Sequence, residues 1–196
     1  MNQSPVNHRA RLAAGFTAVL LVALLSGCDP SAFPSFAPAA ATTQPYSVPT
    51  SLPAEMLVPG TPENADALIA DIIRSVNRQR EKVGLAPLTR SAELCRLADQ
   101  HAERMIAADF FSHTDPAGGA NLAARARKRG YAFFKVGENL GAIQRDPAEV
   151  MKDWMESPSH RANILDPDFT EIGVSVRDGG RYGRYWVQEF GRPLGQ

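Results

Sequence analysis

The sequence contains only two cysteines among its 196 residues, and it has no excess of charge, since 21 basic residues are matched by 21 acidic ones. Cys28 and Cys95 lie in regions of different character, so we expect no intrachain disulfide, and CxxC metal or redox motifs are absent. A nucleic-acid-binding domain usually carries a clear basic excess, so the balanced charge excludes nucleic acid as an expected partner. Cys95 falls inside a helical pattern, where it is interpreted as a small buried apolar residue.

The apolar run near the N-terminus, residues 12–25, is too short to span a bilayer comfortably as a helix. It follows two arginines and ends in the motif Leu-Ser-Gly-Cys, which resembles the lipobox of bacterial lipoproteins. Residues 1–27 are therefore interpreted as a signal peptide that is cleaved before Cys28, whose sulfur and amine would carry the lipid anchor. The alternative is a plain signal peptide with a chance cysteine. Asp29, directly after the cysteine, favours the inner membrane if the organism is Gram-negative.

Residues 28–61 lack any apolar periodicity and contain seven prolines, spaced between residues 30 and 59. Such a segment cannot form a core and favours extended polyproline conformation, which rises about 3.1 Å per residue. The sequence therefore predicts a tether that places a folded domain, residues 62–196, as far as roughly 100 Å from the membrane.

The predicted domain begins with helices. Apolar stripes of period 3.6, each preceded by a capping residue, predict helices that start after Thr61, Ser91, Asn121, Asp146 and Ser157. The basic run at residues 125–129 is interpreted as a solvated helix face. Trp154 and Trp186 sit in apolar patterns, which is typical of core residues.

Two strands are predicted at the end of the chain. Ile172, Val174 and Val176 alternate with polar residues, and a turn at 178–180 leads to a second strand at 185–190 that is apolar on both faces. Helices that come first, followed by an antiparallel hairpin covered on both sides, indicate the α+β class. The expected architecture is a three-layer α-β-α sandwich with a small, mainly antiparallel sheet.

The chain has four histidines, of which His8 belongs to the predicted signal peptide. His101 lies beside the apolar stripe of the second predicted helix and is interpreted as structural. His113 follows that helix in a loop, and His160 lies in the first turn of a later helix, where the helix dipole disfavours a charged imidazole. Neutral imidazoles can bind a metal ion or accept a proton, so His113 and His160 are the candidate functional histidines.

Two acids are candidate companions for these histidines. Glu138 belongs to the segment Gly137-Glu138-Asn139-Leu140, interpreted as a bend introduced by glycine. Glu156 lies four residues before His160. Spacing alone does not establish that these groups meet, because His113, Glu138 and His160 are more than 20 residues apart.

Five motifs occur in a fixed order within a resemblance that covers residues 65–191: FFSHTDP, GENL, WMESPSHRANIL, FTEIGVSV and YWVQEFG. Together they resemble the bacterial branch of the CAP superfamily, the SCP-like domains of cysteine-rich secretory, antigen 5 and pathogenesis-related 1 proteins. The resemblance implies an α-β-α sandwich with a cleft where two histidines and one or two glutamates meet. Matched residue by residue, these are His113, Glu138, His160 and Glu156. Unlike eukaryotic members, this chain has no paired cysteines, so its domain depends on an apolar core.

Three functions are consistent with such a cleft. The resemblance implies binding more often than catalysis, which favours a non-enzymatic envelope module for a lipid, a glycan such as a cell-wall fragment, or a protein. The second is a divalent-metal-dependent hydrolase, in which His113 and His160 would bind zinc and Glu138 or Glu156 would act as ligand or general base.

The third possibility is structural. The same histidines and glutamates could form a buried hydrogen-bond network that fixes the loops to the sheet. The polar residues expected to support such a network are Asn139, Asn163 and Arg161.

Overall fold

The computed structural model of the protein describes residues 52–195. The predicted signal peptide, Cys28 and most of the predicted tether lie outside the described residues. In the part that is described, no helix is both long enough and apolar enough to cross a membrane.

Residues 52–195 contain six helices and four strands. In chain order they are α1 (Ala54–Leu57), α2 (Ala65–Glu81), β1 (Thr89–Arg90), α3 (Ala92–Ala107), α4 (Leu122–Lys128), β2 (Phe133–Ala142), α5 (Pro147–Glu156), α6 (Pro158–Ile164), β3 (Glu171–Asp178) and β4 (Arg184–Pro193).

The strands form one sheet in the order β1-β3-β4-β2. β3 and β4 are antiparallel, as are β4 and β2, whereas the short β1 runs parallel to β3. The sheet is therefore mixed and mainly antiparallel, which confirms the predicted α+β fold. β2 is an edge strand, and this position decides where the candidate site lies.

Helices cover both faces of the sheet, as the apolar pattern of β4 predicted. Trp186 and Phe190 of β4 point to one face, where they join the core residues of α2, α5 and α6. Tyr185 and Val187 point to the other face, which packs against α3. A third cluster joins α3 to α4 and Tyr131. Trp154 and Trp186 are fully buried, in agreement with the prediction.

The segment Gly137–Leu140 was predicted to bend, and that prediction was wrong: it lies in the middle of β2. Gly137 is there for close packing and not for a turn. A Cβ atom at Gly137 would lie 2.8 Å from the Phe169 ring, so the strand can approach that ring only without a side chain.

Four of the five predicted helix starts are confirmed, at Ser91, Asn121, Asp146 and Ser157. The first helix begins at Ala65 and not after Thr61, because the Ala65 amide bonds back to the Pro62 carbonyl in a preceding turn. Cys95 is only partly buried, so its interpretation as a core residue was wrong.

The folded region begins before residue 62, within the segment predicted as tether. Met56 in α1 is buried, and its carbonyl accepts a hydrogen bond from the Gly179 amide. Gly60 and Asp178 exchange two backbone hydrogen bonds of 3.1 and 2.8 Å. Because this segment has both a buried side chain and a β-bridge, residues from about Leu52 onward belong to the folded region and not to the predicted tether.

Substitution at Met56 tests whether this segment belongs to the domain. We expect Met56→Ala to lower the free energy of unfolding by about 2 kcal/mol or more, because it leaves a cavity where the side chain is 1% exposed. The neighbouring Leu57 is 54% exposed, so Leu57→Ala should change stability by less than about 0.5 kcal/mol. Urea denaturation of both variants measures the difference, and equal effects would contradict the assignment.

Candidate functional site

Glu138 is the centre of a buried polar cluster on edge strand β2. Its carboxylate is only 4% exposed, and both of its oxygens have partners. Nδ1 of His113 lies 2.8 Å from Oε1, and Nη2 of Arg125 donates to Oε2. Because an ionised carboxylate only accepts hydrogen bonds, Nδ1 of His113 carries the proton that is donated to Oε1.

The loop between α3 and α4 brings His113 over the edge strand. His101 of α3 is buried and donates from Nε2 to the Ser112 carbonyl at 3.0 Å, which fixes the loop beside the helix. Arg125 holds the next residue, because its Nη1 donates to the His113 carbonyl at 3.1 Å. The side chain of Asn121 caps α4 by accepting from the Ala124 amide. Arg125 of this helix faces inward, toward the His113 loop and Glu138.

A second carboxyl group, that of Glu189, lies next to Glu138 on the neighbouring strand β4. The two residues are directly opposite in the β2–β4 register, and Glu189 is completely buried. Arg125 reaches Glu189 as well, at 3.4 Å. We refer to His101, His113, Arg125, Glu138 and Glu189 as the edge-strand cluster.

The two carboxyl groups take different protonation states. Burial, and next the charge of Glu138, raise the pKa of Glu189 well above its usual value. Burial alone would also raise the pKa of Glu138, but the hydrogen bond from His113 and the charge of Arg125 outweigh it and hold this pKa below its usual value. Near the Arg125 guanidinium, Glu138 therefore ionises first and Glu189 retains its proton to higher pH.

His160 approaches the cluster from α6, on the other face of the sheet. Asn139 donates to the His160 carbonyl at 3.1 Å. Asn163 donates to the Glu138 carbonyl at 3.1 Å and to the side-chain oxygen of Asn139 at 2.9 Å. These amides occupy the open edge of β2 and fix α6 against it. Burial, followed by repulsion from His113, lowers the pKa of His160, so its imidazole is neutral at pH 7.

The structure places the predicted residues in two groups. His113 and Glu138 are in direct contact, and His160 lies within electrostatic reach of His113. Glu156 is exposed and pairs with Lys152 at 3.0 Å, and no hydrogen bond or ion pair links it to the other three among the described residues. It points outward because α5 buries its opposite face, through Val150, Met151 and Trp154.

Two of the three residues predicted to support the network take part in it. Asn139 and Asn163 form the bonds described above. Arg161 is exposed, and its side chain makes no hydrogen bond or ion pair with another residue of the described part.

The sequence did not predict a role for Arg125 or Glu189. It also did not predict that His101 lies close to Glu138, where Nε2 of the histidine is 3.9 Å from Oε2 of the glutamate. The prediction that Arg125 belongs to a solvated face is wrong, because Arg125 sits three residues after the buried Leu122, on the inward side. Glu189 shares a face with Tyr185 and Val187 by the period of two. An acid at such a buried position requires a partner, and this signal could have identified it.

The donor set does not fit a metal centre. Within residues 52–195, no group of three or more histidine, cysteine, aspartate or glutamate side chains is placed to hold a metal ion. Both oxygens of Glu138 are engaged, and the guanidinium of Arg125 would repel a cation beside them. His113 and His160 alone fall short of the three protein ligands typical of catalytic zinc. We therefore derive no metal-dependent step.

The sequence matches other proteins over most of this domain. The model of the cysteine-rich secretory protein (CAP) family matches residues 73–190. The uncharacterized protein YkwD of Bacillus subtilis (strain 168) is 33% identical over 129 residues, 66% of this chain and 49% of that protein. The uncharacterized membrane protein YlbC of the same organism is 30% identical over 119 residues, 61% of this chain and 33% of that protein. The chain thus spans half or less of these curated relatives.

Solved structures share the fold. An extracellular protein containing a SCP domain from Bacillus anthracis str. Ames aligns with a TM-score of 0.60 at 28% identity, covering 69% of this chain and 45% of that one. An outer surface protein from Borrelia burgdorferi aligns with a TM-score of 0.63, covering 69% of this chain and 99% of that one. At 20% identity, the second match shows the fold alone.

Replacement of Arg125 tests the buried charge arrangement. We expect Arg125→Met to lower the free energy of unfolding by about 3–5 kcal/mol, because it leaves the buried Glu138 carboxylate without its cation. Arg129→Met removes an exposed charge at the end of the same helix and should cost less than about 0.5 kcal/mol. Urea denaturation at pH 7 compares the two, and similar losses would show that residues 125–129 form a solvated face.

The raised pKa of Glu189 predicts a dependence of stability on pH. A carboxyl group with a raised pKa keeps its proton in the folded state while the unfolded chain ionises, so its contribution to stability falls as pH rises above about 4.5. Glu189→Gln mimics the neutral acid and removes this dependence. The unfolding free energy of the variant minus that of the wild type should therefore increase between pH 5 and 8, by up to about 1.4 kcal/mol per pH unit. A constant difference across that range would contradict the assignment.

Proposed function

We propose, from the premise that this chain belongs to the cysteine-rich secretory protein (CAP) family, that it is an exported, lipid-anchored module that binds a small polar ligand. The ligand would sit over the edge strand, between His113 and His160. The deeper residues of the edge-strand cluster would hold these histidines in place and make no contact with the ligand.

One observation carries the proposal. The His113 side chain is 43% exposed, although its Nδ1 is bonded to a carboxylate that is almost completely buried. An exposed imidazole usually rotates freely, whereas this ring has a fixed orientation and tautomer. A hydrogen-bonding group fixed before the ligand arrives lowers the entropic cost of binding.

The charge state supports an uncharged ligand rich in hydroxyl or amide groups. His160 is neutral at pH 7 because its pKa is lowered, and a neutral imidazole offers one donor and one acceptor. A neutral His160 ring lacks the full positive charge that phosphate recognition uses. These properties favour a cell-wall sugar as the ligand over a lipid headgroup or a protein.

The N-terminal sequence and the similar proteins support the proposed location of this protein at the cell envelope. The lipobox ending at Cys28 supports export and lipid anchoring. A similar protein of Bacillus anthracis is described as extracellular, and one of Bacillus subtilis as a membrane protein. Asp29 favours the inner membrane in a Gram-negative organism, in which case the domain would face the periplasm.

A hydrolase is supported less well by the same geometry. Because the pKa of Glu138 is held low, its carboxylate is a weak general base at neutral pH. Glu156 pairs with Lys152 on the outer face of α5. We therefore propose binding without catalysis.

A structural role for the network is the second candidate, and the contacts of Arg125 favour it. Its guanidinium links α4 to the His113 loop and to strands β2 and β4 in one set of hydrogen bonds. The two roles are compatible, because bracing concerns the buried groups and binding concerns the exposed ring.

Titration with soluble disaccharides of N-acetylglucosamine and N-acetylmuramic acid tests the binding proposal. We expect the imidazole NMR signals of His113 and His160 to shift on binding. His113→Ala should weaken the affinity about tenfold or more, since one buried ligand hydrogen bond is worth about 1–3 kcal/mol.

Lys152→Ala is the matched control, because Lys152 is exposed on α5, and it should leave the affinity unchanged. Unshifted histidine signals, or an affinity that His113→Ala does not reduce, would refute the proposed site. If His113→Ala instead lowers only the melting temperature, the structural role is the correct one.

A further inference from the structure

We infer that a second surface of this domain, at the end where β2 begins and β4 ends, docks on an anionic phospholipid membrane. This end patch consists of two exposed apolar side chains and four cationic ones: Phe134, Leu194, Arg127, Lys128, Arg129 and Arg192. This end patch is separate from the proposed ligand site, and its contact with the membrane would add to that of the lipid anchor.

Phe134 is exposed because of a bulge in the edge strand. The β2–β4 register shifts between Phe133 and Lys135, and Phe134 is the extra residue. A bulge redirects a side chain away from the regular pleat, and Phe134 is 66% exposed as a result. An aromatic ring held in solvent by the backbone itself is typical of a contact surface.

Leu194 lies beside this bulge. Its amide donates to the Ala132 carbonyl at 3.0 Å, which extends the pairing of Phe133 with Pro193 by one step. The Leu194 side chain is 62% exposed. The two large apolar side chains therefore lie at the same end of one strand pair.

Two guanidinium groups lie over aromatic rings at this end of the sheet. The Arg192 guanidinium lies over the Phe134 ring, 5.0 Å from its centroid. The Arg127 guanidinium lies over the neighbouring Phe133 ring at 5.1 Å, which places the basic end of α4 at this patch. Lys128 and Arg129 continue that end and are exposed.

The local charge remains positive when the acids are included. Asp166 and Asp168 bind Lys135, and Asp168 also lies 3.6 Å from Arg192. Glu171 accepts from the Tyr131 hydroxyl nearby. Five cationic side chains thus face three acids, and the cations at 127–129 make no ion pair with another described residue.

This chemistry matches a membrane surface. Cations attract anionic headgroups, and an aromatic and an aliphatic side chain insert at the interface between headgroups and hydrocarbon. The predicted anchor at Cys28 precedes Leu52 by 24 residues, which limits the domain to roughly 74 Å from the bilayer at 3.1 Å per residue. Such tethering raises the effective concentration of the patch at the membrane, so a weak surface affinity is sufficient.

Vesicle binding tests the inference. The chain from residue 28 onward, with Cys28→Ser to leave it without lipid, retains all the core clusters, which are drawn from residues 65–190. We expect it to sediment with phosphatidylglycerol vesicles and not with phosphatidylcholine vesicles, and to be released by salt. Lys128→Glu with Arg129→Glu should weaken binding at least tenfold, and Phe134→Ser with Leu194→Ser about tenfold.

Matched variants at the C-terminal end of α2 serve as controls. Arg78→Glu with Lys82→Glu makes the same change in net charge, and Val83→Ser removes a side chain that is 53% exposed. Both should bind vesicles within about threefold of the parent. Equal losses in the control variants, equal binding to both lipids, or no binding to phosphatidylglycerol at low salt would each overturn the inference. Circular dichroism of every variant verifies that the loss is not unfolding.

Discussion

The buried contact between Arg125 and two carboxyl groups constrains the rest of the site. One guanidinium cannot neutralise two buried carboxylates at low cost, because desolvation of an unpaired charge is expensive. Glu138 therefore keeps its charge, since His113 and Arg125 both stabilise it, and Glu189 keeps a proton. The orientation of His113 follows from this division, because an ionised Glu138 fixes the proton on Nδ1 of the ring.

The edge position of β2 explains how residues from opposite faces of the sheet meet. Successive side chains of a strand point to opposite faces, so Glu138 faces α3 and α4 whereas Asn139 faces α6. At an inner strand the neighbouring strands would separate these two sides. At the edge, the His113 loop and α6 can approach the same strand, and Asn163 satisfies the Glu138 carbonyl there.

The short helix α4 contributes to both proposed functions through different residues. Arg125 points inward and holds the loop that carries His113, whereas residues 127–129 are exposed beside the bulge at Phe134. The same helix thus positions the ligand site and supplies charge to the end patch. A single basic run in the sequence separates into these roles because Arg125 is covered by the His113 loop and the sheet, whereas residues 127–129 lie at the exposed end of the helix.

Periodicity and capping chemistry in the sequence determined the class of fold, four of the helix starts, the last two strands and the burial of both tryptophans, because these features depend on neighbours along the chain. The motifs also identified His113, Glu138 and His160. Only the tertiary structure decided that Gly137 lies within a strand, that Met56 belongs to the domain, that Arg125 turns inward and that Glu156 lies outside the site. Each of these depends on contacts between residues distant in sequence, such as the Phe169 ring against Gly137, and no local pattern records such contacts.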